Sequence, residues 1–551
     1  MRRLPVGYGM AMSCILLGLV LFPSISYSEN FCAQPVQTES GLVRGMEDKD
    51  SRSCVWLGIP YAAPPVGERR WKAPVPAQPW SGVREAENWG NMCLQQKSPF
   101  VTEPREKTDV LSEDCLYLNI WRPNKPGRFP VMFWIHGGGY TMGSGKYPGG
   151  KLSEFGEVVV VTINYRLGVF GFMASPALRE EDPNQSTGSY GSLDQVAALK
   201  WVKENIANFG GDPTNITIFG ESAGGWSVCT MLATPLNNGM FSKAIIQSGG
   251  CEASESLEKG YAKAGEIASK VGCGADDLKC LRAVPADKLV MGGVGDILRN
   301  GFQFVPHEDG YVLNGTPLAM IRAGNFNKVP LMAGSTKEEV NVVVEIGRPR
   351  LSNALPCAYE KLMQRNLNLS AEEAEKVAAV YRLEKYDNKP KHAFAYMLTD
   401  LALACPTFLG LASVAQANLP VYYYRYDYQG FKYGKYLHAM HSMELPLVFN
   451  SIDKGSMSGL FNNKNVDQAR ELSKIIQGYW TNFAKNGNPN GPGLPLWPAF
   501  DPANPLVQIL DVEVRSEATD SPERCSLWDG YAQAHTPIWE NLARHEKKRK
   551  R

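Results

Sequence analysis

Five short runs of apolar and β-branched residues recur along the first two thirds of the chain, separated by helical or glycine-rich segments. The runs are FPVMFWIH (129–136), GEVVVVTINY (156–165), NITIF (215–219), FSKAIIQSG (241–249) and VPLMAG (329–334). Because they are apolar at successive rather than alternate positions, each is typical of a strand buried on both faces. The pattern therefore predicts an α/β fold with a large, mostly parallel, twisted central sheet flanked by helices.

The clearest helical pattern is SLDQVAALKWVKENIANFGGDP (192–213), between the second and third runs. Ser192 and Gln195 match a capping box, in which the two side chains satisfy free N–H groups at a helix start. Gly210 and the glycine after it are expected to end the helix. No repeat or low-complexity segment interrupts the chain, and we expect one domain over residues 29–543.

The N-terminus has the pattern of an export signal. Arg2 and Arg3 precede an apolar run over residues 10–22, and small residues follow at Ser26 and Ser28. The run is shorter than the roughly 20 residues that a membrane-spanning helix needs. We therefore expect a signal peptide over residues 1–28, no stable membrane span, and a secreted or periplasmic mature protein.

Net charge and cysteine content bear on whether the protein binds nucleic acid, binds zinc or forms disulfides. The formal net charge is +1, which gives no support to a nucleic-acid partner, and the basic tail at 544–551 is expected to be a solvated terminus. Eleven of the twelve cysteines follow the apolar run, and no CxxC pair is present. An exported chain of this kind favours disulfides over zinc, with at least one thiol left free.

The stretch GESAGG (220–225) joins the strand-like NITIF to the helix-like WSVCTML. G-x-S-x-G at a strand-to-helix turn is the nucleophile elbow, which lifts a serine hydroxyl clear of the sheet. The glycines are needed because larger side chains two residues either side would collide with the neighbouring strand and helix. Ser222 is therefore the candidate nucleophile.

A second glycine-rich loop, WIHGGGY (134–140), follows the first apolar run. Its spacing does not match the dinucleotide pattern G-x-G-x-x-G, because Met142 stands where the third glycine would be required. A loop of this type supplies N–H donors to an oxyanion together with the residue after the nucleophile. The candidate donors are Gly138, Gly139 and Ala223.

The acid and base of such an enzyme follow the serine in the order acid, then histidine. Glu338 and Glu339 both come directly after a strand-like run, and the residues alone do not choose between them. The later histidines are equally open; they are His392, His438, His441, His535 and His545. His438, His441 and Glu444 also have the spacing of metal ligands on a helix, although no HExxH pattern supports that alternative.

Ordered motifs over nearly the whole mature chain resemble the type-B carboxylesterase and cholinesterase-like family of α/β-hydrolases. They are GIPYAAPPVGERRW, SEDCLYLNIWRP, WIHGGG, NYRLGVFGF, GSLDQVAALKWVKENIANFGGDP, FGESAGG, AIIQSGG, FVPHEDG, GNFNKVPLMAGSTKEE and HSMELPLVF. The resemblance implies the α/β-hydrolase fold with family-type insertions. It also implies hydrolysis of a small-molecule carboxylic ester through an acyl-enzyme, with no metal or cofactor.

The same resemblance assigns the open positions. In GSTKEE the acid of the triad falls on Glu339, and in HSMELPLVF the base falls on His441. By the same comparison Ser248, in the QSG motif, and Glu444 support the base. The implied mechanism is acyl transfer to Ser222, followed by attack of water.

The disulfides expected from the resemblance are Cys93–Cys115, Cys273–Cys280 and Cys405–Cys525. A fourth pair, Cys32–Cys54, is our own inference from the short hairpin-like segment between them. The remaining cysteines, Cys229, Cys251 and Cys357, are expected to be buried, inert thiols.

Two departures from the cholinesterase pattern bear on the substrate. The first disulfide loop, 94–114, contains no tryptophan that could stack on a quaternary ammonium group. In the acyl-pocket segment NGFQFVP, Phe302 keeps one wall of the pocket and Asn300 replaces another. A choline ester is therefore disfavoured. Two other hypotheses stay open, namely a non-catalytic adhesion or scaffold relative and a lipase acting on long-chain esters.

Overall fold

The computed structural model describes residues 31–96, 110–292, 302–341, 344, 355–455, 457–461 and 464–531. The expected signal peptide over 1–28, the basic tail over 544–551 and the acyl-pocket candidate Asn300 lie outside the described residues.

The described strands form one large and two small sheets. In chain order they are β1 (Val36–Thr38), β2 (Gly41–Arg44), β3 (Met46–Glu47), β4 (Ser53–Pro60), β5 (Val83–Glu85), β6 (Met92–Cys93), β7 (Leu111–Ser112), β8 (Tyr117–Pro123), β9 (Phe129–Ile135), β10 (Val159–Ile163), β11 (Gly211–Glu221), β12 (Lys243–Gln247), β13 (Leu331–Thr336), β14 (Val421–Tyr426), β15 (Leu506–Leu510) and β16 (Arg515–Ala518). The large sheet has eleven strands in the spatial order β16-β15-β14-β13-β12-β11-β9-β10-β8-β4-β3. Strands β1, β2 and β5 form a second sheet, and β6 pairs with β7.

The centre of the large sheet is parallel. Strands β10, β9, β11, β12, β13, β14 and β15 pair in parallel with their neighbours, whereas β8, β4, β3 and β16 add antiparallel pairs at the two edges. Each of the five apolar runs contributes one of these parallel strands, from β9 to β13. The predicted α/β class and mostly parallel sheet are confirmed.

Successive side chains of a central strand enter two different hydrophobic cores. On β9, Val131, Phe133 and Ile135 pack in the core on one face, while Met132 and Trp134 pack in the core on the other. All five are fully buried, because helices cover both faces of the sheet. Burial on both faces is the physical reason that these runs carry apolar residues at successive positions.

The helices connect and cover these strands. The α-helices described are, in chain order, α1 (Gly150–Gly156), α2 (Gly168–Phe172), α3 (Pro176–Glu181), α4 (Tyr190–Asn205), α5 (Ala223–Ala233), α6 (Leu257–Lys270), α7 (Leu278–Ala283), α8 (Ala286–Leu289), α9 (Pro317–Arg322), α10 (Tyr359–Leu367), α11 (Ala371–Val380), α12 (Pro390–Thr399), α13 (Cys405–Ala415), α14 (Gly434–Leu437), α15 (Leu445–Val448), α16 (Val466–Asn486) and α17 (Ser521–Ser526). Short 3-10 turns lie at Gly67–Arg69, Ile206–Phe209, Pro235–Asn237, Pro356–Ala358, Leu383–Tyr386 and Ser458–Leu460, and a π-helical segment, Asp400–Ala404, joins α12 to α13.

The capping box expected at Ser192 is wrong. Helix α4 begins at Tyr190 with Ser189 as its N-cap, so Ser192 lies inside the first turn, buried and without a hydrogen-bond partner for its hydroxyl. Gln195 donates instead to the hydroxyl of Ser227 on α5, at 2.8 Å. The end of the helix is as expected, because Gly210 adopts a left-handed conformation (φ 75°) directly after the 3-10 turn.

Five disulfides are present among the described residues. Four join the expected pairs Cys32–Cys54, Cys93–Cys115, Cys273–Cys280 and Cys405–Cys525. The fifth joins Cys229 to Cys251, so the expectation of inert thiols at these positions is wrong. Cys229 lies on α5 and Cys251 follows the turn after β12, and α5 packs against β12, which brings the two together. Cys357 carries a free thiol, but it is exposed rather than buried.

One helical stretch in the described part of the chain, Pro390–Ala415, is long and apolar enough to cross a membrane. Most of it is buried inside the fold. A long apolar helix with that burial is equally typical of the core of a folded domain.

The carboxyl ends of parallel strands meet at one edge of a sheet, which is where open α/β folds place their ligand sites. The residues that directly follow β9, β11, β12 and β13 include Gly138, Ser222, Ser248 and Glu339. Residues that lie far apart in the sequence are thereby gathered along this edge.

Candidate active site

Ser222 lies in the tight turn between β11 and α5. Its backbone adopts φ 57° and ψ −124°, a conformation that costs energy for any residue other than glycine. The turn is held from both sides: the Ser222 N–H donates to the carbonyl of Gln247 on β12, and its own carbonyl accepts from Trp226 on α5, each at 2.9 Å. The side chain remains slightly exposed, at 8%.

The glycines beside Ser222 are required by their surroundings. A Cβ atom added at Gly220 would lie 2.5 Å from the carbonyl oxygen of Gly224. One added at Gly224 would lie 2.0 Å from the carbonyl oxygen of Ile135 on β9. Both distances are shorter than any real Cβ contact, so the strand and the helix can approach this closely only because both residues lack side chains.

The glycine loop after β9 approaches the serine from the other side. A Cβ atom added at Gly137 would lie 2.6 Å from the Glu221 carbonyl oxygen and 3.0 Å from the Ser222 Cβ. Gly138 and Gly139 both have positive φ, at 106° and 62°. These conformations turn the loop backbone toward the turn that carries the serine.

Three backbone N–H groups near Ser222 make no intramolecular hydrogen bond with any described residue. They belong to Gly138, Gly139 and Ala223. Ala223 is the first residue of α5, where the N–H groups and the positive end of the helix dipole favour an anion. An oxygen that develops negative charge beside Ser222 would satisfy these free donors.

The two candidate acids have different partners. Glu339 Oε2 lies 2.6 Å from His441 Nδ1, and Glu339 Oε1 accepts the Thr336 N–H at 2.7 Å. Its side chain is fully buried. Glu338 points away from this contact and accepts the Ala439 N–H at 3.2 Å. Of the two candidates, only Glu339 is hydrogen-bonded to the imidazole.

The other imidazole nitrogen of His441 faces Glu221. His441 Nε2 lies 3.2 Å from Glu221 Oε1, which also accepts a hydrogen bond from the Ser442 hydroxyl at 2.5 Å. Among the described residues no hydrogen bond joins His441 to Ser222. Catalytic contacts of this kind often form only when substrate is bound.

Glu221 is the residue that sequence reasoning missed. It is the first of the two variable residues of G-x-S-x-G, and it is 2% exposed. Nothing in the motif demands an acid at that position, because the elbow needs only its glycines. The available signal was a carboxylate directly beside the candidate nucleophile.

The two expected supporting residues lie behind the base and make few hydrogen bonds. Glu444 is fully buried and accepts from the Gln247 amide at 3.0 Å; Gln247 in turn accepts from the Trp480 indole at 3.0 Å. The second carboxyl oxygen of Glu444 and the hydroxyl of Ser248 have no hydrogen-bond partner among the described residues. A hydrogen bond from Ser248 to His441 is therefore not formed.

Three buried carboxyl groups surround this single imidazole. Burial alone would lower the pKa of His441, but the charges of Glu221 and Glu339 raise it by more, so the net shift is upward. Burial raises the pKa of Glu444 to about 8, with further contributions from Glu221 and Glu339. Burial also raises the pKa of Glu221. The arrangement stabilises an imidazolium, which is the form that His441 takes after accepting a proton.

Phe302 packs in an aromatic group beside the elbow. Its ring lies edge-on to Trp226 with centroids 4.6 Å apart, and Trp226 lies 5.9 Å from Tyr140, which follows the glycine loop. Trp226 therefore packs between Phe302, the expected wall of the acyl pocket, and Tyr140 in the loop after β9. The described residues hold no cluster of three or more His, Cys, Asp or Glu side chains suited to a metal ion.

The chain matches known proteins over nearly its whole length. The model of the carboxylesterase family matches residues 33–528. The para-nitrobenzyl esterase of Bacillus subtilis (strain 168) is 37% identical over 505 residues, which cover 89% of this chain and 97% of that protein. Liver carboxylesterase 1 of Oryctolagus cuniculus is 36% identical over 523 residues, which cover 86% of this chain and 89% of the relative.

The solved structures that the chain resembles are also esterases. A carboxylesterase of Geobacillus stearothermophilus superimposes with a TM-score of 0.78 at 34% identity, covering 90% of this chain and 99% of its own. A thermophilic para-nitrobenzyl (PNB) esterase superimposes with a TM-score of 0.76 at 36% identity and covers 90% of this chain and 100% of its own. These matches extend over the whole described fold and are not confined to the elbow.

Proposed function

The chain belongs to the carboxylesterase family and hydrolyses carboxylic esters, and on that premise we propose that Ser222, His441 and Glu339 are its catalytic triad. The observation that carries the proposal is the 2.6 Å contact between His441 Nδ1 and Glu339 Oε2, at the same sheet edge as the strained turn of Ser222. The contact between His438 Nδ1 and Glu338 Oε1, the other candidate acid after β13, is longer, at 4.0 Å.

In the acylation step Ser222 Oγ attacks the ester carbonyl carbon while His441 Nε2 takes the hydroxyl proton. The Glu339 carboxylate accepts a hydrogen bond from His441 Nδ1–H, which fixes the tautomer of the imidazole and stabilises the imidazolium. His441 then returns its proton to the alcohol oxygen as the C–O bond breaks, leaving an acyl-Ser222. Water repeats the sequence: it loses a proton to His441, attacks the acyl carbon and releases the acid and free Ser222.

The N–H groups of Gly138, Gly139 and Ala223 are the proposed oxyanion donors. Each tetrahedral intermediate carries its negative charge on the former carbonyl oxygen, and free donors already in place need no rearrangement to bind it. Removing one donor of this type typically costs about a hundredfold or more in rate. The close approach that the glycine loop makes to Ser222 Cβ supports this assignment.

Glu444 and Ser248 are assigned a supporting role behind the base. Where Glu444 is ionised, its charge adds to the raised pKa of His441. The hydrogen bond from Gln247, which itself accepts from Trp480, fixes the position of the Glu444 carboxyl group. Ser248 lies beside Gln247 at the end of β12. Glu444 is therefore proposed to act on the electrostatics of the base, and Ser248, which is fully buried, to support the site through packing alone.

The proposed substrate is a small ester whose acyl group is confined by aromatic side chains. Phe302 and Trp226 pack edge-on, and a rigid aromatic wall limits the length or width of the acyl chain. Asn300 is the second proposed wall. Short or medium acyl chains are favoured over the long chains that a lipase accepts.

The mature chain is proposed to be an exported protein with a single domain over residues 29–543. Five disulfides support an oxidising compartment, since such bonds persist outside the reducing cytosol. Cleavage after Ser28 predicts a mature N-terminus at Glu29, which intact-mass measurement of the exported protein would test. Recovery of the protein with residues 1–28 attached would contradict it.

The proposal is tested by measuring hydrolysis of p-nitrophenyl esters from acetate to palmitate. The purified mature protein is compared with Ser222→Ala and with Ser526→Ala, an exposed serine at the end of α17. We expect Ser526→Ala to match the wild type and Ser222→Ala to lose hydrolysis of every ester. A peak at short chains supports the esterase over the lipase. Equal inactivity of all three proteins would instead favour the adhesion or scaffold alternative.

A further inference from the structure

The segment that carries the base has little regular structure of its own. Residues 433–442 contain only the one-turn helix α14, and Tyr433, His438 and Ser442 all have positive φ, between 57° and 69°. Non-glycine residues adopt such conformations only where the surrounding structure enforces them. The position of His441 therefore depends on what holds this segment.

The segment is held by the residues that directly follow β13. Asn341 donates its side-chain amide to the carbonyls of Tyr436 and Leu437, at 3.0 and 3.2 Å. The His441 N–H donates to the Glu339 carbonyl at 3.3 Å. The acid and the base of the proposed triad thus belong to two segments that are hydrogen-bonded to each other along their backbones.

Glu338 makes a two-point contact at the middle of this interface. Its backbone N–H donates to the Ala439 carbonyl at 3.1 Å, and its carboxylate accepts the Ala439 N–H at 3.2 Å. Ala439 is fully buried and lies two residues before His441. Apart from the contact between His441 and Glu339 themselves, this is the only one of these bonds whose acceptor can ionise.

The Glu338 side chain also faces a water-accessible cavity. The cavity has a volume of about 380 Å³ and is bordered by the Glu338 side chain, which is 15% exposed. The charged and titratable groups that face Glu338 come from its own segment, from the end of β14, from the base segment and from across the cavity; they are Lys337, Arg425, Asp427, His438, Lys385, Tyr386, Asp387, His392, Tyr396 and Asp520. Water in this cavity can therefore exchange protons with Glu338.

We propose that Glu338 is a positioning residue for the base, and that its ionised carboxylate tightens the contact with Ala439 that holds His441 against Glu339. This inference rests on the proposed roles of Glu339 and His441. It adds to them a group that lies outside the triad, touches no reacting atom and exchanges protons with the water of the adjoining cavity.

The charge of the Glu338 carboxyl group determines how the strength of its hydrogen bond with Ala439 changes with pH. A hydrogen bond to a carboxylate is roughly twice as strong as one to a neutral carboxyl group. Burial raises the pKa of Glu338 to about 7, with Asp427 adding to the shift and Lys337 and Arg425 opposing it. The carboxylate form therefore predominates above about pH 7, where the contact is tight. Below that pH the group is neutral and the contact with Ala439 loosens.

The test compares Glu338→Gln, Glu338→Ala and the control Glu252→Gln across pH with a p-nitrophenyl ester. Glutamine keeps an oxygen that can accept the Ala439 N–H but cannot ionise, whereas alanine removes the acceptor. Glu252 is a matched control, because burial also raises the pKa of its carboxyl to about 7 while its charged neighbours, Asp529 and Arg322, lie outside the base segment.

We expect Glu338→Gln to lower kcat by about threefold above pH 7 and Glu338→Ala by about tenfold, each with KM nearly unchanged. The ratio of wild-type kcat to Glu338→Gln kcat should fall from about threefold above pH 7 to about one below it, so the acid limb of the wild type is steeper by at most about 0.3 of a proton. Glu252→Gln should keep the wild-type steepness.

Three outcomes would overturn the proposal. They are equal steepness in wild type and Glu338→Gln, a displacement of the acid limb with no change in steepness, and a loss confined to KM. A displacement alone would mean that Glu338 acts only as a distant charge. Labelling of Ser222 by a fluorophosphonate probe separates this failure from failure of the triad itself, since labelled but pH-normal variants would overturn only the role of Glu338.

Discussion

The turn that carries Ser222 and the segment that carries His441 both deliver a side chain to the carboxyl edge of the central sheet, but they are built differently. Ser222 lies between two regular elements, β11 and α5, and Gly220 and Gly224 on either side of it allow those elements to pack closely. His441 lies in a nearly irregular segment whose main hydrogen bonds come from residues about 100 positions earlier.

Ser222 is therefore positioned by contacts that are local in the sequence, whereas His441 is positioned by contacts with residues far away in the sequence. The geometry of the elbow is set by a few consecutive residues and by the strand beside them, so disturbing it should disturb the nucleophile and the surrounding packing together. The geometry of the base is set by contacts with the segment after β13. It should be possible to damage those contacts while leaving the elbow, and most of the stability of the fold, intact.

The largest effect on activity is expected from Glu339→Gln, which removes the charged partner of His441 and leaves the turn at Ser222 intact. Loss of the carboxylate beside His441 Nδ1 removes the group that fixes the tautomer and stabilises the imidazolium, and we expect kcat to fall by about 10⁴-fold. The thermal midpoint should change little. Glu338→Gln is the control with the same chemical change one residue away; a comparable loss in that control would contradict the assignment of the acid.

A loss of about a hundredfold in kcat is expected from Gly224→Ala, which breaks the elbow. The added Cβ would lie 2.0 Å from the Ile135 carbonyl oxygen, so β9 and α5 must separate and Ser222 must move. Unlike Glu339→Gln, this variant should also lower the thermal midpoint. Gly265→Ala is the control, because a Cβ there meets no atom within 4 Å. If Gly224→Ala kept wild-type rate and stability, the steric account of the elbow would be wrong.

Glu221→Gln tests a residue of the elbow that acts on the base. The charge of Glu221 helps to raise the pKa of His441, so its removal should lower that pKa and move the acid limb of kcat/KM to lower pH by about one unit. The sign follows because His441 must be neutral to accept the Ser222 proton. A pH–rate profile checks this. A limb that stays in place or moves to higher pH would contradict the electrostatic role.

The smallest effect on activity is expected from the double variant Cys229→Ser with Cys251→Ser. This disulfide joins α5 to the segment after β12, and its loss should lower the free energy of unfolding by about 3 kcal/mol. Because the elbow is held by β9 and β12 directly, kcat/KM should stay within about twofold. Denaturant unfolding measures the first quantity. Cys357→Ser, at the exposed free thiol, should change neither.

The same contrast explains what could be predicted from the sequence. The strands β9 to β13 were predicted because burial on both faces favours apolar residues at successive positions. The tight turn at Ser222 was predicted because the glycine spacing reflects a local steric need. The choice between Glu338 and Glu339 was not open to the same reasoning. It depends on which side chain turns toward a histidine about 100 residues later, and only the family resemblance favoured Glu339.

Errors arose where the deciding contact was long-range or the local signal was ambiguous. Ser192 matched a capping box, but Ser189 is the residue with the non-helical backbone, and the Gln195 side chain is engaged by Ser227. Cys229 and Cys251 carry no spacing signal, since their pairing follows from the packing of α5 on β12. Glu221 went unnoticed because its role depends on the position of His441.

The most direct test of the central claim is to trap the nucleophile. The mature protein is mixed with a p-nitrophenyl dialkyl phosphate, the released p-nitrophenolate is counted, and the modified residue is located by peptide mass spectrometry. We predict one equivalent of p-nitrophenolate per chain and a dialkylphosphoryl group on Ser222, with neither in Ser222→Ala. Modification of another residue, or an equal release from Ser222→Ala, would contradict the account.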